Sequence, residues 1–453
     1  MAWTEKAGIP AVGIVCEGFQ SSTLSVAEGE GLRGVRLVVY PPPHISVHTR
    51  KQIYAYAENL LDKVIEALTV EAAAEILAAA VVEPGPREIV FAGTFEEVNN
   101  FFYDRLWTDG LPIVPPTIEK VEEFLKYTDR SPDEVLGVLR PSNCEAIVWT
   151  VAVNGVMAGC RPEYMPVLIA VIEAVADSHF RIEEMGSTGG GAPIITLNGP
   201  IRNQLDFNSG QGVLRNSRRA NATIGRFLRL FFVNVPRFLV GSTDKSTFGC
   251  NFFVVLAENE ESSPWEPLSV DLGFKPGTNV VTVGQVFGWG PQYTTRPGGG
   301  AIALRDIVIG VEQVIGKMRH AYFLPWPEQR HLVVLSPLVA QMIADLGFSK
   351  SDIQRYIYEN ARQSAFSMDE DSYSGTLCEH VKKGLLPKHF CVEDPKTLLP
   401  LTLSPDQFRI IVSGDPNRNR IMVLRGMGYQ GQPTSKEIML PANWEELRAK
   451  LRK

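Results

Sequence analysis

Three acidic residues follow a short apolar run near the middle of the sequence. The run at residues 251–257 (NFFVVLA) is typical of a buried strand, and Glu258, Glu260 and Glu261 come directly after it. In open α/β sheets, ligands lie beyond the carboxyl ends of the strands. Carboxylates this close repel one another, so one of them could keep its proton and act as a general acid or base. We therefore predict Glu258 and Glu260 as catalytic candidates, with a charged surface turn as the alternative.

A basic segment at residues 218–229 (RRANATIGRFLR) opens a predicted helix. Arg218, Arg219 and Arg226 concentrate positive charge near its first turns, and Asn221 is predicted as the N-cap residue. Guanidinium groups and a helix N-terminus both suit a carboxylate ligand. These four residues are candidates for substrate binding, and a solvated basic helix face is the alternative.

Two loops could complete such a binding site. Residues 186–193 (GSTGGGAP) lie between a predicted helix and a predicted strand, where backbone N–H groups at Thr188, Gly189 and Gly190 could cradle an anion. The loop matches no nucleotide-binding pattern, and a tight helix-to-strand turn is an equal alternative. In residues 107–112 (WTDGLP), Trp107 could cover a small ligand beside Asp109, or it could be a buried anchor next to an Asx turn.

The cysteines are too far apart for a local zinc or dithiol motif, and their number is ordinary for a cytosolic protein rather than a disulfide framework. Cys16 ends a predicted strand, where such sheets place reactive groups. Cys160 precedes a predicted helix beside Arg161, which could favour the thiolate. A small buried hydrophobic residue is the alternative for each. His44 and His48 are four residues apart, but the prolines before them weaken any shared helix face, and we assign no metal site.

Composition excludes several classes of protein. Of the 453 residues, 45% are apolar and 21% charged, so a large packed core is possible. The net charge of −7 argues against a nucleic-acid partner, which would require a basic face. The sequence has no apolar run long enough to span a membrane, and its start does not resemble a secretory signal. We therefore expect a cytoplasmic protein that acts on a small molecule.

The first unit, residues 1–82, contains too few elements to close a sheet. Apolar runs predict parallel strands at residues 9–16 and 35–40, and helical spacing predicts a helix over residues 51–77. A doubly wound sheet usually has five or six strands. We predict that this incomplete parallel-sheet unit is completed by a partner chain; docking onto the chain's own second unit is the alternative.

Residues 83–93 are predicted as a linker, and residues 94–453 as a larger α/β unit that opens with a capping box at Thr94 and Glu97. Alternating strands and helices predict the α/β class throughout. The predicted strands occupy residues 192–197, 251–257, 280–286 and 332–335, with a closing hairpin at 408–413 and 421–424.

Several longer stretches resemble the UGSC family of (seleno)proteins. The stretches that carry the resemblance lie between Thr94 and about Arg362 and are WTDGLPIVPP, AVNGVMAG, NGPIR, NSGQGVL, RANATIGR, DKSTFG, AENEESSPWEPL and GFKP. The NSGQGVL stretch adds Asn208 to the binding candidates. Residues 5–16 (EKAGIPAVGIVC) are similar to the segment that follows the redox motif in this family. More distantly, they resemble the selenoprotein subunits of glycine, betaine and D-proline reductases.

In those proteins a U/C-G-[ST]-C motif precedes the EKAGIP segment, and this sequence begins just downstream of it. The resemblance therefore implies a separate small subunit that carries the reactive Cys or Sec, with the active site at the interface. The reductases cleave a C–N bond by thiolate or selenolate attack beside a carboxylate. We expect the large subunit of a hetero-oligomeric reductase or lyase that makes or cleaves a C–N, C–S or C–X bond in a small carboxylate-bearing molecule. We assign no cofactor beyond the partner's Cys or Sec. The alternatives are a transition-metal-dependent lyase or hydratase using His44, His48 or Cys160, and a non-catalytic scaffold.

Overall fold

The structure is a computed structural model that describes residues 2–32, 35–42, 45–69, 84–249, 254–316, 328–365, 376–394, 396–426 and 431–451. Helices and strands are mixed along the chain, which confirms the α/β class. Within these ranges, every helix is too short or too polar to cross a lipid bilayer.

The first unit is a strand–helix–strand arrangement followed by a long helix. Its elements are α1 (Ala2–Lys6), β1 (Val12–Cys16), α2 (Gln20–Gly29), β2 (Arg36–Tyr40) and α3 (Arg50–Thr69). Strands β1 and β2 pair in parallel, as predicted. Val38 and Tyr40 pack with Leu60 of α3 in a small core. The predicted continuation of this helix to residue 77 lies outside the described residues.

This two-stranded sheet is open. In the part of the chain that the structure describes, β1 and β2 pair only with each other. Ile14 of β1 and Val39 of β2 are exposed, and so are Leu61 and Ile65 of α3. The unit is therefore incomplete as a parallel sheet, and its completion by another chain stays a prediction.

The first unit also contacts the large unit through α2. The Ser22 hydroxyl donates a hydrogen bond to the Ser242 carbonyl at 2.6 Å, and Glu30 pairs with Arg140 at 3.1 Å. Docking onto the chain's own second unit, the alternative drawn from the sequence, is thus present. Among the described residues, this contact leaves the outer edges of β1 and β2 unpaired.

The large unit contains β3 (Val135–Leu139), β4 (Cys144–Ile147), β5 (Ala192–Asn198), β6 (Val255–Ala257), β7 (Val280–Thr294), β8 (His331–Leu335), β9 (Arg362–Ser364), β10 (Leu398–Pro400), β11 (Phe408–Val412), β12 (Arg420–Gly426) and β13 (Thr434–Glu437). Its helices are α4 (Phe95–Asp104), α5 (Ile118–Leu125), α6 (Val148–Ala158), α7 (Met165–Ala176), α8 (Ile201–Gln204), α9 (Arg219–Asn234), α10 (Leu268–Asp271), α11 (Gly299–Ile315), α12 (Pro337–Ala344), α13 (Lys350–Asn360), α14 (Thr376–Lys382) and α15 (Trp444–Leu451).

The main sheet runs in the order β11-β8-β12-β7-β5-β6, and β13 adds to the first half of β7. The predicted hairpin of β11 and β12 is wrong. Strand β8 lies between them, parallel to β11 and antiparallel to β12. The physical reason is the connection at residues 413–419, which is longer than the usual hairpin loop and can cross a strand.

On the helix-covered face, the side chains of the two halves of the sheet enter different cores. Ile195 and Val281 pack under α6, α7 and α9, whereas Val333 and Ile410 pack under α11, α12 and α13. Residues of opposite parity face inward and form a third cluster of Ile194, Val213, Leu256, Val286, Val334, Ile411 and Leu424. Since these residues come from both halves of the sheet, the sheet must curl around them.

The curl brings the carboxyl ends of β6 and β11 together, and we call this junction the seam. The Asn259 N–H donates to the Val412 carbonyl at 2.8 Å, and the Ser413 hydroxyl donates to the Ala257 carbonyl at 2.7 Å. The seam therefore places residues that follow β5, β6 and β11 at one edge of the sheet.

Candidate functional site

Glu258 lies at the seam with no exposed surface. Its carboxylate accepts hydrogen bonds from the Leu268 N–H at 2.8 Å and from the Asn198 amide at 2.7 Å, and the Lys350 ammonium lies 3.7 Å away. Burial raises the pKa of Glu258, while Lys350 and the N–H donors oppose that shift. In this arrangement the carboxylate stabilises the closure of the sheet, and its catalytic role stays a prediction.

Glu260 and Glu261 share a buried guanidinium that sequence reasoning missed. Arg202 follows β5, is 2% exposed, and lies 3.0 Å from a carboxylate oxygen of each glutamate. The Gly199 N–H also donates to Glu260 at 2.8 Å. The predicted repulsion among the carboxylates is therefore offset by Arg202, whose signal in the sequence was its place directly after a buried strand.

Asp109 and Arg226 are brought together, but each binds the other. Two guanidinium N–H groups of Arg226 meet the two carboxylate oxygens of Asp109 at 3.0 Å, and one also donates to the Pro112 carbonyl at 2.8 Å. The Asp109 side chain is 1% exposed. Trp107 packs edge-on against Phe102 at 5.5 Å between ring centroids. The Arg226 contacts therefore anchor the loop at residues 107–112 to α9, while Trp107 packs against α4.

The start of α9 differs from the prediction. The helix begins at Arg219 with exposed Arg218 at the N-cap, so the assignment of Asn221 as N-cap is wrong. Asn221 is buried in the first turn, where its side-chain amide bonds two backbone groups. Its oxygen accepts from the Asn208 N–H at 2.8 Å, and its nitrogen donates to the Val255 carbonyl at 2.9 Å. Asn208 and Asn221 are thus close together and hold β6 against α9.

Cys160 is buried under α9 beside Arg219, which donates to the Gly159 carbonyl at 2.9 Å. Burial raises the pKa of the Cys160 thiol to about 12, although Arg219 and Arg226 oppose the shift. Arg161 pairs with Glu163 at 2.6 Å. The expectation that Arg161 favours a Cys160 thiolate is therefore wrong, because desolvation outweighs the nearby positive charge.

The glycine-rich loop forms a tight turn that a second loop covers. The Gly190 N–H bonds the Ser187 carbonyl at 3.0 Å with a left-handed φ of 69°, which favours glycine. The Thr247 N–H donates to the Thr188 carbonyl at 3.1 Å. Thr188 and Gly189 remain exposed at the surface of these two paired loops.

The paired loops lie against the first unit near the carboxyl end of β1. The Lys245 ammonium lies 6.0 Å from the centre of the Phe19 ring, and Phe19 follows β1 by three residues. This is the edge of the parallel strands at which α/β sheets place ligands.

Four side chains at that edge form what we call the carboxyl-edge cluster: Cys16, Tyr40, His48 and Tyr56. Cys16 and Tyr40 end β1 and β2 side by side in register. The Tyr40 hydroxyl lies 2.8 Å from His48 Nδ1, and the Tyr56 ring packs edge-on at 5.4 Å. Burial raises the pKa of Tyr40, and Tyr56 and Cys16 add to the shift. A thiol, a protonated phenol and an imidazole thus meet in one place.

Sequence reasoning identified only part of this cluster. It selected Cys16 as a thiol and His48 as a possible metal ligand, whereas Tyr40 and Tyr56 were not selected as candidates. Tyr40 could have been found because it ends its predicted strand as Cys16 does. His44 lies outside the described residues. Among the residues that the structure does describe, no group of three or more His, Cys, Asp or Glu is arranged to hold a metal ion.

Two cysteines form a bond that the sequence analysis did not predict. Cys378 and Cys391 are joined as a disulfide across 13 residues. Cys16 and Cys144 have free, accessible thiols, whereas the free thiol of Cys160 is buried.

Comparison with known proteins bears on the first unit. The UGSC family model matches residues 2–70, which confirms the predicted family for the segment that holds the carboxyl-edge cluster. No curated protein and no solved structure matches the chain.

Proposed function

We propose that this chain is one subunit of a thiol- or selenol-dependent enzyme whose reaction takes place at the carboxyl-edge cluster. The observation that carries the proposal is that Cys16 and Tyr40 end a parallel sheet whose outer strand edges are unpaired in the described chain. The UGSC match over the same residues supports it.

The proposed partner is a small subunit that adds a strand to this sheet and carries a C/U-G-S-C motif. Parallel sheets are normally buried on both faces, and two strands alone are marginally stable. Exposed Ile14 and Val39 on the strands, with Leu61 and Ile65 on α3, supply apolar surface for such a partner. Backbone pairing would supply the hydrogen bonds.

In the proposed first step, the partner's thiolate or selenolate attacks the carbon beside the substrate carboxylate. A C–S or C–Se bond forms as the C–N, C–S or C–X bond breaks, and the leaving group takes the bonding electron pair. Tyr40 is protonated at neutral pH and is hydrogen-bonded to His48, so it is the proposed proton source. The proposed carboxylate ligands are the exposed loop at Thr188 and Lys245, whose ammonium also donates to the Gly241 carbonyl at 2.6 Å.

A reductase outcome requires a second thiol, and we assign that role to Cys16. Its thiolate attacks the partner's sulfur or selenium, forming a mixed disulfide or selenenyl sulfide while the substrate carbon leaves and takes up a proton. An external dithiol then reduces the mixed bond and is itself oxidised to a disulfide.

Co-purification tests the partner. The tagged chain is co-expressed with a neighbouring reading frame that encodes the C/U-G-S-C motif. We expect a stoichiometric complex by size exclusion and mass spectrometry, and we expect Val39→Lys or Leu61→Glu to abolish it. The matched control is Leu346→Glu, an equally exposed leucine of the large unit, which should leave the complex intact. Failure of the two chains to associate would contradict the proposal.

Turnover tests the chemistry. In the assembled complex, Cys16→Ser should lower turnover by at least about a hundredfold, whereas Cys144→Ser, which alters an exposed thiol elsewhere, should not change it. Tyr40→Phe should shift the pH profile of the remaining activity. Unchanged turnover in both Cys16→Ser and Tyr40→Phe, with intact assembly, would favour the non-catalytic scaffold.

A further inference from the structure

A pocket opens on the inner face of the curled sheet of the large unit. Its apolar wall comes from Ile194 and Val286 on one half of the sheet, and from Leu332 and Leu424 on the other. It shares no residue with the carboxyl-edge cluster, so an inference about it does not depend on the proposed function.

Arg409 places a positive charge in this apolar pocket. Along β11, Phe408 and Ile410 face the helices, so Arg409 points with Ile411 toward the inside of the curl. The described part of the chain offers its guanidinium neither a hydrogen bond nor an ion pair. Burial lowers the pKa of Arg409, and Arg330 adds to that shift. Arg409 is partly buried, and a cation in such a place without a paired carboxylate is destabilising unless a ligand supplies the counter-charge.

The acidic residues nearby already have other partners. Asp406 lies 3.4 Å from Arg330, which also lines the pocket, and Asp271 lies 2.9 Å from Lys350. Their attraction to Arg409 acts only at a distance. Among the described residues, Arg409 therefore has no directly paired carboxylate.

The two threonines on the opposite wall are engaged, and the Gln285 amide N–H donates to the Phe180 carbonyl at 2.9 Å, whereas the Gln285 Oε1 has no partner among the described residues. Thr196 donates to the Thr282 carbonyl at 3.3 Å, and the Thr282 hydroxyl bonds Ser435 at 2.8 Å. A ligand would therefore meet the Arg409 guanidinium, the Arg330 guanidinium that already pairs with Asp406, and several aliphatic side chains. That chemistry fits a short aliphatic chain that ends in an anionic group, and the planar guanidinium suits a carboxylate.

We propose that the inner face of the curled sheet binds a short-chain aliphatic carboxylate, with Arg409 bound to the carboxylate and the leucine and isoleucine side chains around the alkyl chain. This is a second ligand site in the large unit, apart from the proposed reaction at the first unit.

Isothermal titration and thermal unfolding of the full chain test this proposal, with butyrate as the probe. Butyramide has the same alkyl chain without the charge, and inorganic phosphate has the charge without the chain. We expect butyrate to bind with a Kd in the range of about 1 mM or below, and each of the other two probes to bind at least about tenfold more weakly. This comparison uses the unaltered protein, so it does not depend on any variant folding.

Arg409→Met should weaken butyrate binding at least about tenfold. Arg355→Met removes an exposed guanidinium from α13 and should leave binding unchanged. Without ligand, Arg409→Met should unfold at the same or a higher temperature, because it removes an unpaired and partly buried charge. Three results would each overturn the proposal: no butyrate binding at about 10 mM, equal binding by Arg409→Met, or tighter binding of phosphate than of butyrate.

Discussion

Asp109→Asn should strongly destabilise the protein, because Asp109 anchors its loop to α9 through a buried ion pair. The Asp109 side chain is 1% exposed and that of Arg226 is 23% exposed. Removing one member of a fully buried pair costs about 3–5 kcal/mol. Since the Arg226 side chain is partly exposed to solvent and keeps its hydrogen bond to the Pro112 carbonyl, we expect Asp109→Asn to lower the free energy of unfolding by about 2–3 kcal/mol.

A double-mutant cycle in urea measures this coupling. The free energy of unfolding is compared for the unaltered chain, Asp109→Asn, Arg226→Gln and the double variant. We expect a coupling energy of at least about 1.5 kcal/mol, since the two side chains share two hydrogen bonds. The matched control is Arg218→Gln, whose partner Asp206 is exposed, and which should cost less than about 0.5 kcal/mol.

Two results would refute this reasoning. If Asp109→Asn costs no more than the control, the loop does not depend on the ion pair. If the variants are stable but lose substrate binding, Asp109 and Arg226 act as binding residues, as the sequence first predicted.

Three further predictions concern single sites. Because the pKa of Cys160 is about 12, only about one molecule in ten thousand carries its thiolate at pH 8, and iodoacetamide should label it only after unfolding. Burial lowers the pKa of His331 to about 3, with Arg425 adding to the shift. The unfolded chain therefore binds a proton at His331 at a higher pH than the folded protein does. The free energy of unfolding is not reduced by this site above pH 6.5 and declines as the pH falls toward 3, by about 2 kcal/mol between pH 6.5 and 5. A methyl group added at Gly300 would lie 2.1 Å from the Met342 carbonyl oxygen, so Gly300→Ala should cost about 1–3 kcal/mol of unfolding free energy.

Each of these predictions has a control within the chain. Mass spectrometry should find Cys144, which is exposed, labelled before unfolding, and equal labelling rates would contradict the Cys160 prediction. His331→Gln should flatten the dependence of stability on pH, whereas His389→Gln, at an exposed site, should not. Gly310→Ala, in the same helix as Gly300, meets only side chains at 3.2 Å or more and should be tolerated; equal losses would show that contact with backbone is not decisive.

The apolar runs predicted much of the main sheet. Strands predicted at residues 192–197, 332–335 and 408–413 agree with β5, β8 and β11 to within one residue at each end. Strands buried on both faces read as continuous apolar runs, so their positions are visible locally. The capping box at Thr94 was equally local, and the structure contains both of its hydrogen bonds.

Contacts between distant segments could not be predicted in this way. Nothing in the two last apolar runs indicates that β8 lies between β11 and β12, because a run without alternation does not specify its neighbour. Arg202 resembles a surface arginine until the sheet places it among glutamates that follow it by nearly sixty residues. Asp109 and Arg226 were both selected, but as ligand contacts, since their 117-residue separation hides that they bind each other.

The seam makes closure of the large unit depend on β11, which is synthesised long after β6. Glu258 and Val412 are 154 residues apart, so the ribosome must release most of the chain before the two edges can meet. The strand–helix–strand segment near the N-terminus has only short-range pairing and can form much earlier. During translation, the unpaired edges of β1 and β2 are therefore exposed before the large unit has closed at the seam. Binding of a partner or a chaperone in this interval would prevent these edges from pairing with other chains.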